Sequence, residues 1–188
     1  LAVRTARLRL ALSVRTISSM ALSAEQLDNI STGNALTKDS AEIDGRFDIV
    51  VTNPPFGVKA EASTRDRYFD LSTDGSQSRD AYGLFVARTL ELLRPGGVGG
   101  LLISDTWRTI RRHRPLRRRL MNRTTIHSIV DMPSWVFPAT VNTGVLTFVN
   151  AQSPSGHEIA AFDLRPVPKG NWETLTSELA RSLDSQSV

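Results

Sequence analysis

The sequence predicts an α/β layered fold with a largely parallel sheet, and three observations carry that expectation. Strand-like and helix-like runs alternate along the chain. The run Phe47-Asp48-Ile49-Val50-Val51-Thr52 sets Phe47, Ile49 and Val51 against Asp48, Val50 and Thr52 and is rich in β-branched residues, the period-two pattern of a strand. Tyr82, Phe85, Val86, Thr89, Leu90 and Leu93 recur instead at helical spacing.

The elements follow in order. A helix is expected over about 2–14, with Leu1, Leu8 and Leu12 on one side. Residues 1–24 carry Arg4, Arg7, Arg9 and Arg15, several serines and no acid, which also fits a transit peptide. The helix is preferred because the segment runs into the next element without a linker. A short strand is expected near Asp28–Ile30, ending in Ser31-Thr32-Gly33-Asn34-Ala35-Leu36, and a polar loop then leads to the strand over 47–52. Residues 57–79 read as a long loop beside a strand tip, a common place for function. Asp80 suits a helix cap, and Leu93-Arg94-Pro95-Gly96-Gly97 ends the helix that follows. Val98–Ile103 is the next strand. Its glycines (96, 97, 99 and 100) lie after a helix and before a strand, the reverse of the order a phosphate cradle needs. A helix from Pro115, strands at Thr125–Asp131, Thr143–Asn150 and His157–Leu164, and a weak helix over 171–183 complete the pass.

Composition narrows the function classes. The chain has 188 residues, 40% hydrophobic and 22% charged, enough for one domain with a core. It has no cysteine, so neither disulfides nor thiolate metal sites are available. His113, His127 and His157 show no metal-ligand spacing, so no metal is expected and each reads as a surface or structural residue. No apolar run reaches the length of a membrane span. The net charge of +4 is local in origin: Arg108–Arg123 holds eight arginines and no acid, and the remainder of the chain is net −4. Such a segment suits a polyanion, with Arg117, Arg118 and Arg119 as its candidate contacts; a solvated helix face is the competing reading.

The most informative feature is Asn53-Pro54-Pro55-Phe56, at the end of the 47–52 strand. Two prolines, with fixed φ and no N–H, hold an amide and an aromatic ring stiffly at a strand tip. An exocyclic amine on an aromatic base is a poor nucleophile because its lone pair is delocalised. Acceptors aimed at its protons, such as the Asn53 side-chain oxygen and the Pro54 carbonyl, favour a freer lone pair. Phe56 can stack on the base, and holding the base in line with an electrophile is catalysis by positioning and preorganised electrostatics. A proline-terminated strand with a turn asparagine is the alternative.

Phe47–Gly57 resembles motif IV of the N6-adenine DNA methyltransferases, and the Phe-Gly continuation is most similar to the modification subunits of type I restriction-modification systems. Leu92-Leu93-Arg94-Pro95-Gly96-Gly97, Val136-Phe137, Asn142–Phe148 and Ala161-Phe162-Asp163-Leu164-Arg165 also look like that family, in the expected order over most of residues 1–165. The resemblance implies a Rossmann-like S-adenosylmethionine-dependent methyltransferase sheet and methyl transfer to adenine N6 in DNA. It implies that Asn53 and Pro54 hold the target amine, Pro55 stiffens the turn and Phe56 stacks on the flipped base. Asn34, in Gly33-Asn34-Ala35-Leu36, aligns where the family usually has an Asp meeting the cofactor's adenine, and with Asn53 it forms the implied cofactor contact.

The family's aromatic-x-Gly-x-Gly cofactor loop and the acidic residue for the cofactor's ribose do not occur in residues 1–46. The chain therefore reads as beginning at the helix after the second strand, with the sheet lacking its first two strands and exposing the edge they cover. Residues 1–165 are expected to form a partial catalytic domain and 166–188 a linker and weak helix. The expected partners are DNA and either a separate specificity subunit or an amino-terminal half, in the cytoplasm. Two other readings remain open at this point: a non-catalytic remnant or nucleic-acid-binding module, and a methyltransferase acting on RNA or on glutamine side chains of proteins.

Overall fold

The computed structural model describes residues 2–18, 21–37, 43–61, 64, 66, 68, 81–137 and 142–184. The chain divides into two compact units, Leu1–Lys38 and Asp39–Val188.

In the first unit, α1 (Ala2–Ser18) is followed by the short helix α2 (Ala24–Asp28). The strand expected near Asp28–Ile30 does not form. Ser23 and Gln26 make a reciprocal capping box, the Ser23 hydroxyl accepting from the Gln26 N–H (3.2 Å) and the Gln26 side chain from the Ser23 N–H (2.9 Å). That commits the backbone to a helical turn just before the expected strand. Arg7, one of the transit-peptide-like arginines, pairs with Asp28 (2.8 Å) and donates to the Ile30 carbonyl (2.9 Å), tying α1 to the end of α2.

The second unit is built on a five-stranded sheet. Its strands are β1 (Phe47–Thr52), β2 (Leu93–Ser104), β3 (Thr125–Asp131), β4 (Thr143–Val149) and β5 (Ala160–Asp163), in the order β1-β2-β4-β3-β5. The expected parallel character is only partly met: β1–β2 and β3–β5 are parallel, whereas β4 lies antiparallel to both β2 and β3. The cause is the connection from β3 to β4. It spans only residues 132–142, with no helix in its described part, and a chain that makes no helical crossover returns antiparallel. Four of the five strands nevertheless point one way. The carboxyl ends of β1, β2, β3 and β5 therefore share one edge of the sheet.

Helices α3 (Ala81–Leu92) and α4 (Arg114–Arg123) cover one face of the sheet, and α5 (Trp172–Asp184) contributes to the other. Tyr82, Val86 and Leu90 of α3 and Leu116 and Leu120 of α4 pack with Leu101, Ile103, Leu146 and Phe148 of the sheet. On the opposite face, Leu175 of α5 joins Val130, Met132 and Leu164. α3 forms where the stripe predicts a helix, but it is buried nearly all round and Phe85 is only half-buried. The helix ends at Leu92, so Leu93 and the Arg94-Pro95-Gly96-Gly97 expected to close it belong to β2. Its expected cap, Asp80, and most of the 57–79 loop lie outside the described residues. Pro115 occupies the first turn of α4, where its missing N–H costs nothing.

The glycines of β2 serve the sheet. Gly96 turns with φ +76°, and a Cβ on Gly97 would sit 2.9 Å from the Phe47 carbonyl of β1. Gly99 lies directly across from Phe148, and a Cβ there would fall 2.5 Å from the Phe148 ring. Among the described strands β1 borders β2 alone, and its inward face is Val50 and Thr52. The apolar residues of the other face point outward, with Ile49 65% and Val51 78% exposed.

Candidate active site

β1 delivers Asn53 to the shared carboxyl edge. Asn53 is exposed, and its side chain has no hydrogen-bond partner among the described residues. The next residue is anchored: Pro54 is buried, Pro55 is exposed and Phe56 is half-buried. Gly57 then turns in the left-handed region (φ +68°), where residues with a Cβ are strained. The tip is closed by Val58, whose carbonyl accepts from the Ala81 N–H at the start of α3 (2.9 Å). The sheet thus holds one side of the tetrapeptide and α3 the other.

A buried polar network lies behind this edge, and sequence reasoning did not find it. The Tyr82 hydroxyl of α3 shares a hydrogen bond with His113 Nε2 (2.7 Å) and another with the Thr106 hydroxyl (3.1 Å). Thr106 in turn bonds the Ser104 hydroxyl (2.9 Å), which caps the short turn Asp105–Trp107 after β2. His113, fully buried, is structural. Tyr82 was visible only as a member of a hydrophobic stripe and His113 only as a scattered histidine; a partner 31 residues away leaves no local signal.

Charged pairs continue along the edge. Arg108 donates to Asp131 at the end of β3 (2.6 Å). Arg165 grips Asp163 at the end of β5 through two 2.7 Å bonds, and these hold the Asp163 carboxyl down at about 2.

The three arginines singled out from the basic run are placed differently from one another. Arg117 donates to the carbonyls of Trp107 (2.7 Å) and Ile110 (2.9 Å), and Arg119 to that of Tyr68 (2.8 Å). Burial, and then neighbouring Arg123, lower the pKa of Arg119 from its ordinary value. Arg118 is exposed. In the first unit, Asn34 follows a helix and a coil, not a strand. Its Oδ1 accepts from the Leu36 N–H (3.0 Å) in a side-chain turn, which leaves the Nδ2 donor outward. Asn34 and Asn53 belong to different units. Among the described residues no group of three or more His, Cys, Asp or Glu is placed to hold a metal ion, and no helix is long and apolar enough to cross a membrane.

Comparison with known proteins adds to this geometry. A family model described as Eco57I restriction-modification methylase matches residues 1–137. The methylase subunit of the type I restriction enzyme StySJI from Salmonella typhimurium is 30% identical over 131 residues, 69% of this chain and 23% of the relative. The methylase subunit of the EcoKI enzyme from Escherichia coli K12 is 30% identical over 145 residues, 72% of this chain and 26% of the relative. The chain thus spans about a quarter of the length of these relatives. A Listeria monocytogenes protein assigned to the class I S-adenosylmethionine-dependent methyltransferases superposes with a TM-score of 0.59 at 18% identity, over 77% of this chain and 44% of that one, which shows a shared fold.

Proposed function

The chain belongs to the Eco57I restriction-modification methylase family, and on that premise we propose that it carries the adenine-holding part of a DNA methyltransferase that moves a methyl group from S-adenosylmethionine to adenine N6. The observation that carries the reading is Asn53: an exposed asparagine without a side-chain partner among the described residues, at the carboxyl end of a strand, followed by a buried proline, an exposed proline and a half-buried phenylalanine. Ligands of open α/β sheets sit at that end of the strands.

The chemistry assigned to these residues is positioning. The Asn53 oxygen and the Pro54 carbonyl accept the two amine protons of an adenine turned out of the duplex. This raises electron density on N6 and fixes its direction of attack. Pro55 limits movement of the acceptors, and Phe56 offers a ring face to the base. S-adenosylmethionine supplies the electrophilic methyl group when bound. The chemistry of each candidate fits it separately: Asn34 keeps an Nδ2 donor suited to an adenine ring nitrogen, and Asn53 has a carboxamide with no partner among the described residues. No residue of 1–46 supplies a glycine-rich loop. We place the catalytic portion within residues 1–165, and its partners as duplex DNA and a specificity subunit of a restriction-modification system.

Transfer of labelled methyl groups to duplex DNA, to RNA and to a glutamine-bearing peptide tests the assignment, using the chain alone and together with a family amino-terminal segment that carries the glycine-rich loop. Labelled N6-methyladenine from duplex DNA is the expected product. Label appearing in RNA or glutamine alone would replace the acceptor. Absence of both cofactor binding and transfer under every arrangement would leave a non-catalytic module.

A further inference from the structure

We infer that Arg111, Arg114 and Arg118 form the face that meets the phosphate backbone of duplex DNA, while Arg117 and Arg119 of the same run are internal struts. The inference rests on the DNA reading above and sharpens it to particular side chains.

The structure sorts the run by partner. Arg108 is paired with Asp131, and Arg117 and Arg119 donate to backbone carbonyls. Arg111, Arg112, Arg114, Arg118 and Arg123 are exposed and have no carboxylate or carbonyl partner among the described residues. Of these, Arg112 and Arg123 fall at the helical positions of Arg119, while Arg111, Arg114 and Arg118 share one helical face. The spacing of these three places them together. The short turn Arg111–His113 runs directly into α4, so positions 111, 114 and 118 recur at three and four residues on one helical face. Successive guanidinium groups are then one turn apart, about 5.4 Å along the axis. His113, Leu116 and Leu120 are buried on the opposite face, which fixes the direction in which the stripe looks.

The stripe also starts in the right place. α4 leaves the carboxyl edge of the sheet after β2 and returns the chain to the amino edge, where Thr125 opens β3 opposite Val149, itself opposite Val98 of β2. Arg111 and Arg114 are therefore at the Asn53 edge. A chain of hydrogen bonds ties them to it: Val58, five residues after Asn53, accepts from Ala81 at 2.9 Å, and the adjacent Tyr82 bonds His113 at 2.7 Å. Charge complementarity selects the occupant. No acid lies between Arg108 and Arg123, and the first turn of α4 has no acidic residue and no side-chain cap, so the segment itself offers its positive end no compensating charge. A polyanion laid along the stripe relieves that repulsion, and duplex DNA brings the base that Asn53 is placed to hold.

The test is fluorescence anisotropy of the full chain with a labelled duplex between 50 and 200 mM salt, comparing the wild type with R111A/R114A/R118A and with R118A alone. Three lost phosphate contacts make the slope of log affinity against log salt shallower by about 2.7, and one by about 0.9, so the wild type loses roughly forty-fold more affinity than the triple variant across that range. Arg117→Lys, which keeps the charge, is expected to leave the slope unchanged. Duplex binding by the wild type with an unchanged slope in the triple variant overturns this inference and leaves the DNA reading intact. A wild type that shows no salt-dependent duplex binding overturns both. Preference for single-stranded RNA or for vesicles of anionic lipid over the duplex assigns the stripe to another polyanion and overturns the inference.

Discussion

Replacing Gly99 with alanine isolates one steric contact in the middle of the sheet. Gly99 sits directly opposite Phe148 on the neighbouring antiparallel strand, and Phe148 is fully buried. A Cβ on residue 99 would fall 2.5, 2.7 and 3.0 Å from three atoms of that ring. Carbon atoms in comfortable contact are about 3.5–4.0 Å apart, so ring and strand must separate by about 1 Å. The ring has no easy retreat, because Leu101, Leu146 and α3 residues fill the space around it. Overpacking of this kind costs about 1–3 kcal/mol, and the lower chain entropy of unfolded alanine offsets only about 0.4–1 kcal/mol of that. A net loss of about 1–2 kcal/mol corresponds to a melting temperature lower by roughly 2–8 °C for a chain of this size. Urea and thermal unfolding followed by circular dichroism measure it directly. The decisive comparison is the double variant G99A/F148L, in which the smaller side chain leaves room for the methyl group. Its loss of stability should be smaller than the sum of the single losses by about 0.5–3 kcal/mol. Additive losses, or a G99A protein within about 0.5 kcal/mol of the wild type, would refute the argument that Gly99 exists to admit the Phe148 ring.

Other outcomes follow from the site. Asn53→Ala should lower methyl transfer about 100- to 1,000-fold, the scale for removal of one preorganised polar group, and should leave the melting temperature unchanged because the side chain is exposed and takes no hydrogen bond from the described residues. Arg165→Ala should return the Asp163 carboxyl from about 2 toward its ordinary 3.8, read by a carbon-13 NMR titration. Because that pKa is depressed in the fold, the pair's contribution to stability is present above about pH 4 and is lost as the pH falls toward 2, so R165A should flatten the acid side of the stability profile only in that window. Ser23→Ala removes half of the capping box and should cost the α2 turn about 1 kcal/mol, seen as faster amide hydrogen exchange at Gln26 and Leu27.

Much of the second unit was legible because burial imposes a period. β3 and β4 alternate buried and half-buried residues along most of their length, and the ends of β1 and β3 fall where the sequence puts them. The tetrapeptide after β1 was legible because proline restricts the backbone whatever surrounds it. Direction within the sheet was less so: β4 has the same alternation whether it runs parallel or antiparallel, and only the shortness of residues 132–142 tells the two apart. The misplaced strand at Asp28–Ile30 had a visible contrary signal in Ser23 and Gln26, three residues apart. The sorting of the arginines had none. Arg117 and Arg118 are chemically identical neighbours, and what separates them is a pair of carbonyls that the fold brings within reach of only one. The outward face of β1 was equally hidden, since alternation shows that a strand has two faces but not which of them meets a helix.

The position of β1 also gives the two prolines a second consequence. Among the described strands β1 borders β2 alone, so the backbone groups of its other side are available to a further strand, whether from the rest of the fold or from another copy of Phe47–Thr52. Asp48 is the one charge within the six residues, so little repulsion opposes such growth. The ladder nevertheless stops at Thr52, because Pro54 and Pro55 offer no N–H to an incoming chain. The rings proposed to steady an amide for chemistry thus also set how far any strand added beside β1 can extend.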